Sequence, residues 1–282
     1  MKTFTKVILI IALVFALMGA ILLGAGVMVG GSRVAKDGTK LAGNNSAIQN
    51  AIDTWSEGFD LLDLFHDVDV ETNPNGEDSL TVSTRELKKI DMDTACANFV
   101  FKSVDHLDGK VSFSCEARKD KYKVTFELDD EGTVKIRPAK RFAHLNASQT
   151  PTVTILCPED FALSELDMDI ASGNVTFEGN AVIHECDIDL AAGNVENKGT
   201  FIYKLDVDTA AGNVNIALPT GVMEDWYLVE VDCAVGKLEI DGIEESGFGK
   251  HYFAKSGGFK YKEIHVDCAA GNVTINFDGK GL

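Results

Sequence analysis

The sequence predicts an all-β fold, a repetitive β-solenoid of stacked strand–glycine–strand rungs, behind one N-terminal transmembrane helix. Three observations predict it. An uncharged apolar run lies near the N-terminus. A ten-residue pattern returns five times after residue 165. Inside each copy apolar and acidic residues alternate with period two.

The apolar run is Val7–Gly30, 24 residues without a charged or polar side chain. As a helix it spans about 36 Å, enough for a hydrocarbon core of about 30 Å with some tilt. A cleaved signal peptide is the rival reading, because Lys2 and Lys6 precede the run and Gly24-Ala25-Gly26 is small enough for cleavage. The run exceeds the roughly 7–15 residues of a usual signal core, which favours a retained anchor. Lys2 and Lys6 on one side nearly balance Arg33, Lys36 and Lys40 on the other, so flanking charge alone barely orients the span. Gly26 and Gly30 form a GxxxG that permits close helix pairing. No strand precedes them, so they are no dinucleotide fingerprint.

Residues 1–30 are thus read as the anchor, 31–65 as a linker with a short amphipathic helix, and 66–282 as the β-solenoid. Gly31–Asn45 is small and polar, a flexible connection. From Ala47 to Phe65, Ile48, Ile52, Trp55, Phe59, Leu62 and Phe65 fall at helical spacing on one face.

The repeat is read from LDMDIASGNV at Leu166, CDIDLAAGNV at Cys186, LDVDTAAGNV at Leu205, VEVDCAVGKL at Val229 and IHVDCAAGNV at Ile264. Their glycines are Gly173, Gly193, Gly212, Gly236 and Gly271, separated by 20, 19, 24 and 35 residues. The first, third and fifth positions are mostly apolar and the second and fourth mostly acidic, the signature of a strand with one buried face. Glycine at the eighth position suits either a left-handed turn or a close backbone approach. A second apolar alternation follows it, as in Val175 and Phe177. One copy cannot bury its apolar face alone, whereas stacked copies share a continuous core. Ile90–Asn98 is an earlier relic in the same frame, with Ala97 in the glycine column. Between them, Lys123–Leu128 and Thr133–Ile136 read as a hairpin across Asp129–Gly132, and Thr152–Pro158 as a strand stopped by its proline.

These features resemble the bacterial putative-adhesin domain-of-unknown-function family, whose members often stand behind one membrane helix. The resemblance spans about residues 65–277. It is carried by the strand ending in Cys157-Pro158, the following Leu163-Ser-Glu-Leu166, and the D-x-x-A-x-G-[NK]-[VL] copies. Cys157 stands where the family usually has valine. Gly-Asn replaces the family's frequent Gly-Asp, so no role of that aspartate is carried over. The resemblance implies a β-solenoid, an extracytoplasmic location and no established catalytic activity.

Net charge is −18, from 44 acidic and 26 basic residues, which argues against a nucleic-acid partner. Asp169, Asp189, Asp208, Asp232 and Asp267 share the fourth column; Asp167, Asp187, Asp206 and Glu230 share the second. Stacked about 4.8 Å apart, neighbouring charges in water repel by about 0.8 kcal/mol. Either a cation such as calcium or local hydrogen bonds from the glycine turn must offset this. The local hydrogen bonds are preferred, because the nine-residue calcium-roll repeat is absent. Cys186, Cys233 and Cys268 fall in apolar columns and read as small core residues, with a Cys233–Cys268 bridge conceivable only if their rungs adjoin. The six cysteines form no CxxC and the six histidines no metal spacing.

The longest interruption, Asp241–Glu263, is rich in lysine and aromatic residues. Its Lys250, His251, Tyr252, Phe253 and Tyr261 are the candidate contact surface, with Trp226 and Tyr227 packing beside it. The expected protein is a single-pass cell-membrane protein with its C-terminal domain outside. It is a structural or interaction module of adhesin-like type, neither an enzyme nor a cofactor carrier. Its partners would be an envelope polymer or another membrane protein. An accessory or sensory part of an envelope-stress system is the second reading, and a carbohydrate-active β-helix enzyme the third.

Overall fold

The computed structural model describes residues 72–105, 107–118, 122–140, 150–254 and 262–281, all within one compact unit, Asp69–Leu282. Residues 1–71, and with them the predicted anchor, linker and amphipathic helix, lie outside the described residues, as does Tyr261. Among the described residues no helix is long and apolar enough to cross a membrane.

The strands, in chain order, are β1 Ser79–Ser83, β2 Lys89–Cys96, β3 Asn98–Val104, β4 Lys110–Glu116, β5 Val124–Leu128, β6 Thr133–Pro138 and β7 Thr152–Pro158. They continue with β8 Ala162–Glu178, β9 Val182–Lys198, β10 Phe201–Ala211, β11 Val214–Ala217, β12 Leu228–Ile240, β13 Ile243–Ala254 and β14 Glu263–Asn276. The fold is a repetitive, mostly β-stranded solenoid. Parallel pairing keeps the predicted copies in frame: Leu166 lies on Cys186, Asp167 on Asp187 and Gly173 on Gly193. Cys186 in turn lies on Leu205 and Leu205 on Ile264. The relic holds the same register, with Ile90 on Leu166 and Phe99 on Val175, so β2 and β3 together make one rung beneath β8.

Period-two alternation puts Leu166, Met168 and Ile170 inside and Asp167 and Asp169 outside, and the same columns recur up the stack. The alternation breaks where Ile170 and Ala171 are both buried and where Ser164 and Glu165 both face outward; these are the bends of the rung. Past the bend, Val175 and Phe177 return to the core, where Phe177 meets Phe99 and Phe101 with ring centroids 6.2 and 6.3 Å away. Each such large side chain contributes about 1.5–3 kcal/mol of apolar burial.

Rung order is not chain order. The last copy, β14, lies between β10 and β12, and β13 folds back antiparallel on the far side of β12. Asp241 and Gly242, both at positive φ (51° and 83°), form the tight turn that sends β13 back along β12. The position beside β10 is then filled by the strand that follows the insertion. At the other end the predicted β5–β6 hairpin forms, with Asp129 Oδ1 accepting from the Glu131 and Thr133 N–H groups at 3.0 and 2.9 Å. Antiparallel β5, β1 and β4 finish that end.

Candidate functional site

The glycine column shows which of its two possible demands applies. The strand runs through Gly173 and Gly193, and φ at Gly173, Gly193, Gly212, Gly236 and Gly271 lies between 146° and 157°. A Cβ on Gly193, Gly212, Gly236 or Gly271 would stand 1.5 Å from the carbonyl oxygen of the glycine in the neighbouring rung; on Gly173 it would stand 1.7 Å from the Ala97 oxygen. The requirement is close backbone approach within a strand rather than a left-handed turn, and it comes with a positive φ that side chains other than glycine rarely adopt.

Asparagine takes local hydrogen bonds at this bend. Asn98 Oδ1 accepts from the Asn174 N–H and Nδ2, and the bond repeats from Asn194 to Asn174, Asn213 to Asn194 and Asn272 to Asn213, with Nδ2–Oδ1 distances of 2.9–3.0 Å. Lys237, where the copy lacks asparagine, still donates its N–H to Asn272 Oδ1 at 3.2 Å. Asn174, Asn194 and Asn213 line an open groove of about 410 Å³ with Thr176, Glu196 and Asn215.

The acidic columns stack as expected but are compensated differently. At one end Arg137 Nη2 holds both Asp91 carboxylate oxygens at 2.9 Å, and Lys89 Nζ reaches Glu165 at 2.6 Å and Asp167 at 3.4 Å. In the middle, Asp189 is buried. Burial, and then Asp169 beside it, push its carboxyl up to about 8. Burial, with Asp206 and Asp267 alongside, pushes Asp208 up to about 6. Near the other end the second column carries His265 between Asp206 and Glu230. His265 Nδ1 lies 2.9 Å from Asp206 Oδ1, and Nε2 3.7 Å from Asp267. Burial pulls that imidazole down, but Asp206 and Asp267 outweigh it and the net shift is upward. Cationic side chains thus offset the repulsion toward both ends of the stack, while between them burial and like charge raise the carboxyls.

The insertion is placed as follows. Lys250, His251, Tyr252 and Phe253 lie on β13 opposite Cys233, Asp232, Val231 and Glu230. His251 and Phe253 are exposed, and Ile243 on the same strand is 75% exposed. Lys250 pairs with Glu245, and the Tyr252 hydroxyl donates to Glu224 Oε1. Trp226 lies under Lys262, whose Nζ is 4.2 Å from the indole centroid and 4.9 Å from the ring of Phe201. Tyr227 is buried and donates its hydroxyl to the Ile202 carbonyl at 2.7 Å. His251 Nδ1 lies 2.9 Å from Asp232 Oδ1, and Glu230, Asp232 and His251 bring one ligand atom each to within 4.8 Å of one another. Sequence spacing hid this group because Asp232 and His251 meet only through the antiparallel turn, 19 residues apart.

All six cysteines are free thiols. Cys233 and Cys268 adjoin, as a bridge would need, yet each donates toward a glycine carbonyl of the next rung, at 3.6 and 3.7 Å. Burial pushes Cys157 and Cys268 up to about 12, which leaves them inert as nucleophiles.

A family model described as Toastrack DUF4097 matches residues 87–279. No curated protein matches the chain. Among solved structures, a "putative cell adhesion protein" from Clostridium sporogenes is 13% identical, with 71% of this chain and 97% of that one covered at a TM-score of 0.40. A "putative adhesin" from Bacteroides fragilis is also 13% identical, covering 70% and 95% at a TM-score of 0.25. A "putative lipid binding protein" from Parabacteroides distasonis is 12% identical, covering 72% and 95% at 0.25.

Proposed function

The chain belongs to the Toastrack DUF4097 family, and from that premise we propose that it is a single-pass membrane protein of the cell envelope whose solenoid is displayed outside the membrane as a rigid contact surface. The domain itself is a non-catalytic, adhesin-like structural β-module. The observation that carries the proposal is the regularity of the outer faces. Each rung spends its inward side chains on the core and offers the same outward columns at a spacing of about 4.8 Å. Such a surface suits a repetitive polymer or a long protein contact better than a small molecule, which needs a concave, largely enclosed pocket. The apolar run Val7–Gly30 supports the anchor, and the family resemblance supports the outward placement.

Binding to isolated cell wall tests the proposal. The full chain is expected in the membrane fraction, cut by protease added to intact cells, and retained on wall material. Replacing Lys250, Tyr252 and Phe253 together with alanine is expected to weaken retention at least about tenfold, the loss of one or two interface anchors. Unchanged retention removes the contact role of β13. One stoichiometric membrane partner without wall retention replaces the adhesin-like reading with the envelope-stress accessory.

A further inference from the structure

We infer that Glu230, Asp232 and His251 form a site for one divalent transition-metal ion of the zinc type, at the end of the solenoid where β13 folds back on β12. The proposal goes beyond surface display and does not depend on it. The fold sets the three residues together by register. Glu230 and Asp232 are two apart on β12 and therefore on one face. His251 is the cross-strand partner of Asp232. One imidazole nitrogen and two carboxylate oxygens already lie within 4.8 Å of one another. Bonds of about 2.1 Å at a tetrahedral angle would set ligand atoms roughly 3.4 Å apart, so side-chain rotation of about an ångström closes the set. Water completes four-coordination.

Two features separate this group from the general acidity of the face. First, aspartate and glutamate fill the acidic columns elsewhere, whereas imidazoles enter on the two strands that flank β12: His265 on β14 and His251 on β13. A calcium surface would use oxygen throughout; an imidazole with two carboxylates is a borderline-soft set that suits zinc, nickel or cobalt. Second, the carboxylates behind the group supply field without crowding it. Asp267 adjoins Asp232 on β14, and His265, held on Asp206 through Nδ1, is the cross-strand neighbour of Glu230. Lysines of the same hairpin are engaged elsewhere, Lys237 with Glu239 and Glu244 and Lys250 with Glu245. The metal would pin β13, the outermost strand, to β12.

Titration of the purified full chain with Zn²⁺ by calorimetry, with Co²⁺ as the visible-absorbing stand-in, tests the site. One equivalent is expected to bind, with at least about tenfold weaker binding in His251→Ala and in Asp232→Asn. Both side chains are exposed, so the metal-free variants should melt with the parent. Asp187→Asn, lower on the same face, should bind as the parent does. Absence of saturable binding, equal affinity in His251→Ala, or displacement by a hundredfold excess of Ca²⁺ overturns the proposal; the last outcome would leave only a diffuse acidic surface.

Discussion

At the residue scale, Asp189 shows how a column of like charges is tolerated. Its carboxyl is buried and lies directly on Asp169 of the neighbouring rung, and two carboxyls held together away from water favour retention of a proton. The folded-state value, raised to about 8, lies above the unfolded value of about 3.9. The stability this group contributes is therefore complete below about pH 4 and lost as pH rises through about 8. Asp208, raised to about 6, and His265, also raised, act in the same sense. Thermal unfolding is expected to move to lower temperature between pH 5 and pH 9. Asp189→Asn keeps a hydrogen-bond donor and cannot ionise. It should melt close to the parent at pH 5 and be more stable at pH 9, by on the order of 1–3 kcal/mol. Parallel pH profiles for parent and variant would show that the column is fully ionised after all. The acidic alternation itself was legible in the sequence. The protonated pair was not, because it depends on how dry Asp189 becomes between two rungs.

At the element scale, the rung is defined by glycine and asparagine acting on different atoms. Glycine lets successive backbones approach, and asparagine ties them through its side chain. The glycine column was found from its recurrence near 20 residues, but the sequence left two reasons for it open. The stacked register selects one, since each missing Cβ coincides with a neighbouring carbonyl. Gly212→Ala would drive a methyl to 1.5 Å from the Gly193 oxygen and should cost more than about 3 kcal/mol. Gly221→Ala, at positive φ (86°) but with nothing within 4 Å of its Cβ, should cost only about 1–2 kcal/mol. Chemical denaturation of the two variants checks the ranking; equal losses would mean that backbone conformation, not rung contact, sets the requirement. The contact residues divide similarly. Composition marked the insertion as rich in lysine and aromatic residues, while strand register decided that His251 faces Asp232 and that Tyr252 faces Val231.

At the scale of the whole molecule, the interleaved order makes the C-terminal strand a central one. β14 pairs with β10, β11 and β12; Ile264, Val266, Cys268, Val273 and Ile275 bury their side chains from it, and Phe277 does so just beyond its end. In a sequential stack, removing the last strand would expose one terminal interface. Here truncation before Glu263 opens two. At about 1.5–3 kcal/mol per large apolar side chain, the loss is on the order of 10 kcal/mol, comparable with the whole stability of a domain. The truncated chain is expected to lose amide-exchange protection throughout β10, β12 and β13. Retained protection in β12 and β13 would mean that this hairpin stands without β14.

The sequence by itself determined the solenoid class, the rung length, the inward and outward columns, the relic rung at Ile90–Asn98 and the β5–β6 hairpin. All of these follow from local periodicity and turn chemistry, which neighbouring residues along one chain write directly. The tertiary structure alone decided the order of the rungs, the stacking of Asp169 on a buried Asp189 and the meeting of Glu230, Asp232 and His251. Repeats of near-identical pattern can pair in any order without disturbing their own alternation. Order is therefore set by where the chain turns back at Asp241–Gly242, and chemistry that depends on which rungs adjoin is fixed only once that choice is made.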